Sequence, residues 1–232
     1  MMAPQGLVLD FDGPLLNGID RHYAVYRDIL EENNFRPLPR DRYWDLKRNL
    51  INRRDLLSMS GAAHIYDLFL HTWLHRIELK EYLQLDQLQP GVVEVLADWR
   101  SQAIPVFLAT MRNNRPHLDW QLQELGLSAF FDAVVVIEGH PQTGDEPWKS
   151  KAAGVRDLLG VVPPESVLWV GDTEVDIRAA QALGAQSCAV LCGLRTEAHL
   201  RKFTPDYVVS DVPELAAMLR SGARKDGGVG ES

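Results

Sequence analysis

A chain of 232 residues can form one large domain, or a core carrying a smaller insert, and at this size it buries roughly 70–75% of its unfolded surface without disulfide staples. Its net charge of −8 disfavours nucleic acid and anionic membrane surfaces as partners, because both reward basic patches. No apolar run approaches the roughly 20 residues of a membrane span, Met1 to Gln5 lacks the basic start of a leader, and Cys188 and Cys192 read as buried thiols of a soluble cytoplasmic protein.

Short apolar runs alternate with helical patterns along the chain. Gly6 to Asp10 is a strand ending in an acid. From about Asn17 to Leu88 the rhythm breaks. That stretch has no convincing strand, but it carries helical stripes: Tyr23, Tyr26, Ile29 and Leu30, then Ile65, Leu68, Phe69 and Leu74. It is too long for a crossover connection, so residues 17–88 predict an inserted helical subdomain, with Pro90-Gly91 marking the return. Next comes a helical stripe of Val92, Val93, Val95, Leu96 and Trp99, then a strand over Ile104 to Thr110. Leu118, Leu122 and Leu125 form another stripe, stopped by Gly126, before a strand over Ala133 to Ile137. Val167 to Gly171 is a strand, followed by a helix with Ile177, Ala180 and Leu183 that ends at Gly184. Ser187 to Leu191 and Tyr207 to Ser210 complete the strands. Nearly continuous apolar strands imply burial on both faces. The chain therefore predicts an α/β fold with a doubly wound parallel sheet, its core made of residues 1–16 and 89–220. Residues 221–232 are polar and Gly-rich and are expected to be disordered.

The candidate chemistry lies just beyond the carboxyl ends of strands, where open α/β sheets bind ligands. Asp10 and Asp12 follow the first strand two residues apart, and their charges repel unless a cation or a shared proton intervenes. Gly13 permits a tight turn there. The Thr110 hydroxyl at a strand tip can donate to a phosphoryl oxygen. Asp172 sits at another strand tip, with Asp176 one helical turn on, and such oxygen ligands suit Mg²⁺. A lysine at 149 or 151 begins the helix striped by Ala152, Val155, Leu158 and Leu159. Helix phase favours Lys151, which lies on the stripe side, whereas Lys149 aligns with Ala153 and Arg156 toward solvent. An inward lysine needs an anion beside it.

Taken in order, these motifs resemble the haloacid dehalogenase-like hydrolase superfamily. The matching stretches are DFDG at Asp10 to Gly13, FLAT at Phe107 to Thr110, SKAAGVRDLL at Ser150 to Leu159, and VGDTEVDIRAAQALGA at Val170 to Ala185. By position and helicity, the insert resembles the cap of phosphoglycolate phosphatase-like members. The sequence departs from the pattern at Pro14, at Asn17-Gly18 and in the absence of a Lys-Pro pair, which bears on substrate more than on chemistry. The resemblance implies a Rossmann-like core and a phosphatase acting on a small phosphorylated metabolite. Asp10 would be the nucleophile forming an aspartyl-phosphate, and Asp12 the acid and then the base. Mg²⁺ would sit between the carboxylates of Asp10 and Asp172 and the backbone carbonyl of Asp12, with Asp176 supporting them. Lys151 would offset the phosphate charge, while Thr110 and nearby backbone at Gly13 and Met111 would orient the transferring group.

Arg112, just past Thr110, is a further phosphate-side candidate. In the insert Arg21, Tyr23, Lys47, Arg48, Arg53 and Arg54 could reach a second anionic group, although a solvated helix face is the ordinary fate of such residues. His71, His75 and Glu78 share one helix face at spacings that could hold a transition metal, although a polar face is again the commoner outcome. Rival activities are a phosphomutase on the same core, a dehalogenase, which would not need Asp12, Asp172 and Asp176, and a non-catalytic binding module. Substrate identity and oligomeric state are not legible in the sequence.

Overall fold

The computed structural model describes residues 4–137, 146–160 and 162–226. The first part of the chain forms β1 (Gly6–Leu9), β2 (Leu16–Asn17) and the helices α1 (Ile19–Glu32), α2 (Arg40–Arg48), α3 (Arg53–Ser58), α4 (Tyr66–Arg76) and α5 (Lys80–Leu83). After β3 (Gln87–Leu88) come α6 (Val92–Ser101), β4 (Val106–Thr110), α7 (Arg115–Glu124), β5 (Ala133–Val136) and α8 (Pro147–Leu159). The last part contains β6 (Val167–Gly171), α9 (Glu174–Leu183), β7 (Gln186–Val190), α10 (Glu197–Leu200), β8 (Tyr207–Val209) and α11 (Val212–Asp226).

Six strands form one parallel sheet in the order β5-β4-β1-β6-β7-β8. Side chains alternate across it. Leu7, Leu9, Leu108, Leu168 and Val170 face one way and pack on Val92, Leu96, Leu118, Leu122 and Leu215 from α6, α7 and α11. Val8, Phe107, Ala109 and Trp169 face the other way and pack on Ala152, Val155, Ala180 and Leu183 from α8 and α9. Burial on both faces is why these strands read as unbroken apolar runs. From β1 the chain first builds outward through β4 and β5, then returns to the other side of β1 with β6. That reversal opens a crevice at the carboxyl ends of β1 and β6.

The insert has a hydrophobic cluster of its own, including Val25, Tyr26, Ile29, Leu30, Tyr43, Leu57, Phe69 and Trp73. Two expectations for this stretch need correction. Two short strands are present after all: β2 pairs antiparallel with β3, matching Leu16 with Leu88 and Asn17 with Gln87, so the chain leaves and re-enters the core as one paired neck. On α4, Leu68 and Leu74 are 50% and 40% exposed, and the buried face is formed by Phe69, Trp73 and Ile77, spaced at four residues. A third correction concerns the C-terminus. Residues 221–226, expected to be disordered, continue α11, and 227–232 lie outside the described residues. No helix among the described residues is long and apolar enough to cross a membrane.

Candidate active site

Asp10 follows β1 and Asp172 follows β6, so the two acids flank the crevice where the strand order reverses. The Asp10 N–H donates to the Val170 carbonyl at 2.9 Å, which extends the ladder to the acid itself. The next turn needs Gly13, whose φ is +97° and where a methyl group would collide with the Asp172 carboxyl. Glycine at 193 is required by space alone, since a side chain there would also meet the Asp172 carboxyl.

Asp10, Asp172 and Asp176 converge, each offering a carboxylate oxygen within 4.8 Å of the others. Lys151 is the cation among them: its Nζ lies 3.1 Å from Asp10 Oδ1 and 2.6 Å from Asp176 Oδ1. Its side chain is 2% exposed, against 62% for Lys149, which pairs with Glu146 at 2.6 Å. The Thr173 hydroxyl donates to the other oxygen of Asp176 at 2.7 Å, so Asp176 is fully engaged. Asp10 Oδ1 also accepts from the Phe11 N–H at 2.8 Å, while Oδ2 has no hydrogen-bond partner among the described residues. Asp172 Oδ2 accepts from the Leu194 N–H at 2.5 Å, and its Oδ1 is buried without a partner. Burial raises the Asp10 carboxyl to about 7, with repulsion from Asp176 and Asp12 adding to it and Lys151 opposing it. Burial, then Asp10 and Asp176, push Asp172 well above the carboxylate range. Lys151 goes the other way from what burial alone would do, because Asp10 and Asp176 hold its charge. An orphaned buried carboxylate oxygen, facing neighbours of like charge and an all-oxygen donor set, fits a hard divalent cation. Among the described residues this is the one acidic group so arranged. His71 and His75 are exposed and Glu78 accepts the N–H groups of Asn113 and Asn114, so that helix face forms no cluster of the kind considered.

Asp12 points elsewhere. Arg112 Nε donates to its Oδ2 at 2.6 Å and Arg112 NH2 to its Oδ1 at 2.9 Å, and Arg21 from α1 also pairs with Oδ1. Both arginines continue to Asp86, Arg21 Nε reaching its Oδ1 at 2.9 Å. Burial alone would raise Asp12, but the two guanidinium groups outweigh it and hold the carboxyl far below its usual range. This four-membered cluster joins insert and core. Arg21 is 2% exposed, contrary to its expected solvated position on a helix face. Arg112, expected to meet phosphate, has its guanidinium committed to Asp12 and Asp86. Gln121 anchors Asp86 in turn, donating at 2.9 Å. Sequence reasoning passed over Asp86, Gln121, Thr173 and His22. For Arg21 a signal existed: it precedes Val25 by four residues and Ile29 by eight, the same inward phase that distinguishes Lys151.

A cavity of about 300 Å³ lies above the acids, between core and insert. Asp10, Thr110, Met111 and Lys151 line it from the core, and His22, Trp73 and Ile77 from the insert. Thr110 is buried, with its hydroxyl accepting from the Arg112 N–H at 3.3 Å. Cys188 is buried in β7 as expected; Cys192 lies past the strand, half-buried, with its thiol donating to the Gly13 carbonyl at 3.4 Å.

Comparison with known proteins agrees with this architecture. A phosphoglycolate phosphatase of Synechococcus elongatus is 27% identical over 218 residues, covering 91% of this chain and 95% of the relative. The pyrophosphatase PpaX of Bacillus mycoides is 31% identical over 225 residues, covering 92% and 95%. A haloacid dehalogenase-like family protein of Streptococcus pneumoniae superposes with a TM-score of 0.72 at 20% identity, over 94% of this chain and 99% of that one. The family model described as haloacid dehalogenase-like hydrolase matches residues 4–184, and the chain belongs to that family of hydrolases.

Proposed function

We propose that this protein is a magnesium-dependent phosphatase that hydrolyses a small phosphorylated metabolite through an aspartyl-phosphate on Asp10. The observation that carries this reading is the pairing of a nucleophile-ready Asp10, whose Oδ2 is unbonded among the described residues, with an orphaned Asp172 oxygen that calls for a cation. Asp10 and Asp172 would hold Mg²⁺ with the backbone carbonyl of Asp12, and Asp176 would brace the set through Lys151. When bound, Mg²⁺ supplies charge neutralisation between the carboxylates and an incoming phosphate dianion. Asp10 attacks phosphorus, the bond to the leaving oxygen breaks, and that oxygen takes a proton from Asp12. Asp12 then accepts a proton from water, the water oxygen attacks phosphorus, and the bond to Asp10 breaks to release inorganic phosphate. Lys151 and Thr110 position and neutralise the transferring group. The second step needs Asp12 ionised, which is the form Arg21 and Arg112 favour. The first step needs it protonated, so an anionic substrate that draws on these arginines would ready Asp12 for its acid role.

The helical insert would act as a cap over this cavity, and the phosphatases named among the relatives are consistent with such a substrate. Free thiols at Cys188 and Cys192 suit the reducing cytoplasm, and the net charge of −8 suits small solutes better than nucleic acid. The test is Asp10→Asn, which keeps size and removes the attacking charge. With a generic phosphate ester and Mg²⁺, inorganic phosphate release should fall by several orders of magnitude while the far-ultraviolet circular dichroism spectrum stays that of the folded wild type. Retention of a tenth of wild-type turnover would refute the assignment.

A further inference from the structure

A buried ion cluster is often no more stabilising than apolar packing of the same volume, so one kept beneath a reacting group calls for a reason other than folding. Arg21, Arg112 and Asp86 form such a cluster beneath Asp12. Their side chains are 2%, 5% and 0% exposed, whereas that of Asp12 is 36% exposed and lines the cavity above Asp10. The four residues come from four places in the chain: Asp12 follows β1, Arg21 stands on α1, Asp86 lies between α5 and β3, and Arg112 follows β4.

Each guanidinium is held from both sides. Arg112 Nε donates to Asp12 Oδ2 at 2.6 Å, and its NH2 is shared between Asp12 Oδ1 at 2.9 Å and Asp86 Oδ2 at 3.4 Å. Arg21 pairs with Asp12 Oδ1 through NH2, while its Nε donates to Asp86 Oδ1 at 2.9 Å and its NH1 to the Ile77 carbonyl at 3.3 Å. Asp86 is fixed from behind by Gln121, whose Nε2 donates to Asp86 Oδ2 and to the Leu83 carbonyl, both at 2.9 Å. Gln121 is itself buried on α7 of the core. A planar guanidinium transmits direction, so fixing one edge fixes the carboxylate on the other. In the acid step Asp12 carries a proton and no longer draws the guanidinium groups. Asp86 is then the anion that keeps both arginines, and with them Asp12, in place.

We propose that Asp86, held by Gln121, is a positioning residue for Asp12: through Arg21 and Arg112 it aims the carboxyl that delivers a proton to the leaving oxygen. This rests on the phosphatase reading of the Asp10 site. The leaving group supplies the test. The alkoxide of ethyl phosphate needs that proton, whereas 4-nitrophenolate departs as a stable anion, and kcat/KM covers only the steps up to the aspartyl-phosphate. Asp86→Asn should therefore lower the ratio of kcat/KM for ethyl phosphate to that for 4-nitrophenyl phosphate by about tenfold or more, a part of the roughly 10²–10⁴-fold that a general acid supplies. Gln121→Met removes the donor behind Asp86 and leaves all four charges in place. It should lower the same ratio by roughly threefold or more, and it carries the test if the Asn variant does not fold. In protein with isotope-labelled arginine, the Arg112 Nε–H resonance should be sharp in wild type and broadened by exchange with water in both variants. An equal loss for the two esters, or an unchanged ratio, would overturn the proposal and leave Asp86 a structural ion. Absence of turnover in wild type would defeat the phosphatase reading alone, because the Arg112 resonance still reports whether Asp86 holds the arginines on Asp12. A resonance that neither variant alters would overturn the positioning role in that case as well.

Discussion

At the scale of single residues, two lysines two positions apart have opposite environments. Lys151 is enclosed by Asp10 and Asp176, whereas Lys149 sits in solvent against Glu146. Lys151→Ala should lower kcat by roughly 10²-fold, the scale of losing one preorganised electrostatic group, and should lower the melting temperature because two buried carboxylates lose their counter-charge. Lys149→Ala should change kcat by less than about threefold, as expected for a screened surface charge. Steady-state kinetics on both variants with one substrate decides the matter, and a large loss at Lys149 alone would contradict it. The positions of Asp10, Thr110, Lys151, Asp172 and Asp176 at strand ends and in the first turns of helices were legible, because each follows or begins an element whose apolar pattern fixes where it stands. Asp86 was not, because its environment comes from packing between distant segments: it meets Arg21 from 65 residues away in sequence. The helix phase of Arg21 turned it inward but did not say which carboxylates it would meet.

At the scale of elements, the six core strands followed from their apolar runs within a residue or two, since double-sided burial leaves little freedom in sequence, whereas α10 and α11 were not anticipated and Val93, placed in the buried stripe of α6, is 38% exposed. The insert was legible as helical but not in its buried face or in its paired neck, because two-residue strands leave no pattern. One contact couples this insert to the chemistry. Arg48, in the last turn of α2, grips the carbonyls of Leu191 and Arg195, and between them the Leu194 N–H holds Asp172 at 2.5 Å. The helix thus fixes the loop that fixes the Asp172 carboxylate. Arg48→Ala removes two charge-assisted hydrogen bonds, each of about 1.5–3 kcal/mol, so kcat/KM should fall roughly tenfold. Amide hydrogen exchange at Gly193 to Arg195 should accelerate in parallel. Normal exchange in that loop with normal kinetics would show that α2 does not brace the site.

At the scale of the whole molecule, a chain of net charge −8 folds around three converging buried acids, and this sets how stability depends on pH and metal. The Asp10 carboxyl is raised from 3.8 to about 7 by burial and then by neighbouring carboxylates, and Asp172 is raised by the same causes. Between those two values the metal-free folded protein binds more protons at this site than the unfolded chain does. The sign is then fixed: the stability this site contributes is present below about pH 4 and is lost as pH rises toward 7. Mg²⁺ held by these acids, as proposed above, would need the ionised carboxylates, so it would compete with those protons and its stabilisation would grow as pH rises. At a hundred times its dissociation constant it should add about 2.7 kcal/mol, or roughly 5–10 °C in melting temperature for a chain of this size. Asp12 shifts in the opposite direction, but it contributes to both the metal-free and the loaded protein and cancels in their difference. Calorimetric melting in EDTA and in saturating Mg²⁺, at pH 5.5 and 7.5, should therefore show a gap that is wider at the higher pH. Asp172→Asn should raise the melting temperature in EDTA at pH 7.5, by relieving repulsion, and close most of the gap. A gap of equal size at both pH values, or one that survives Asp172→Asn, would mean that the stabilising ion binds somewhere other than among Asp10, Asp172 and Asp176.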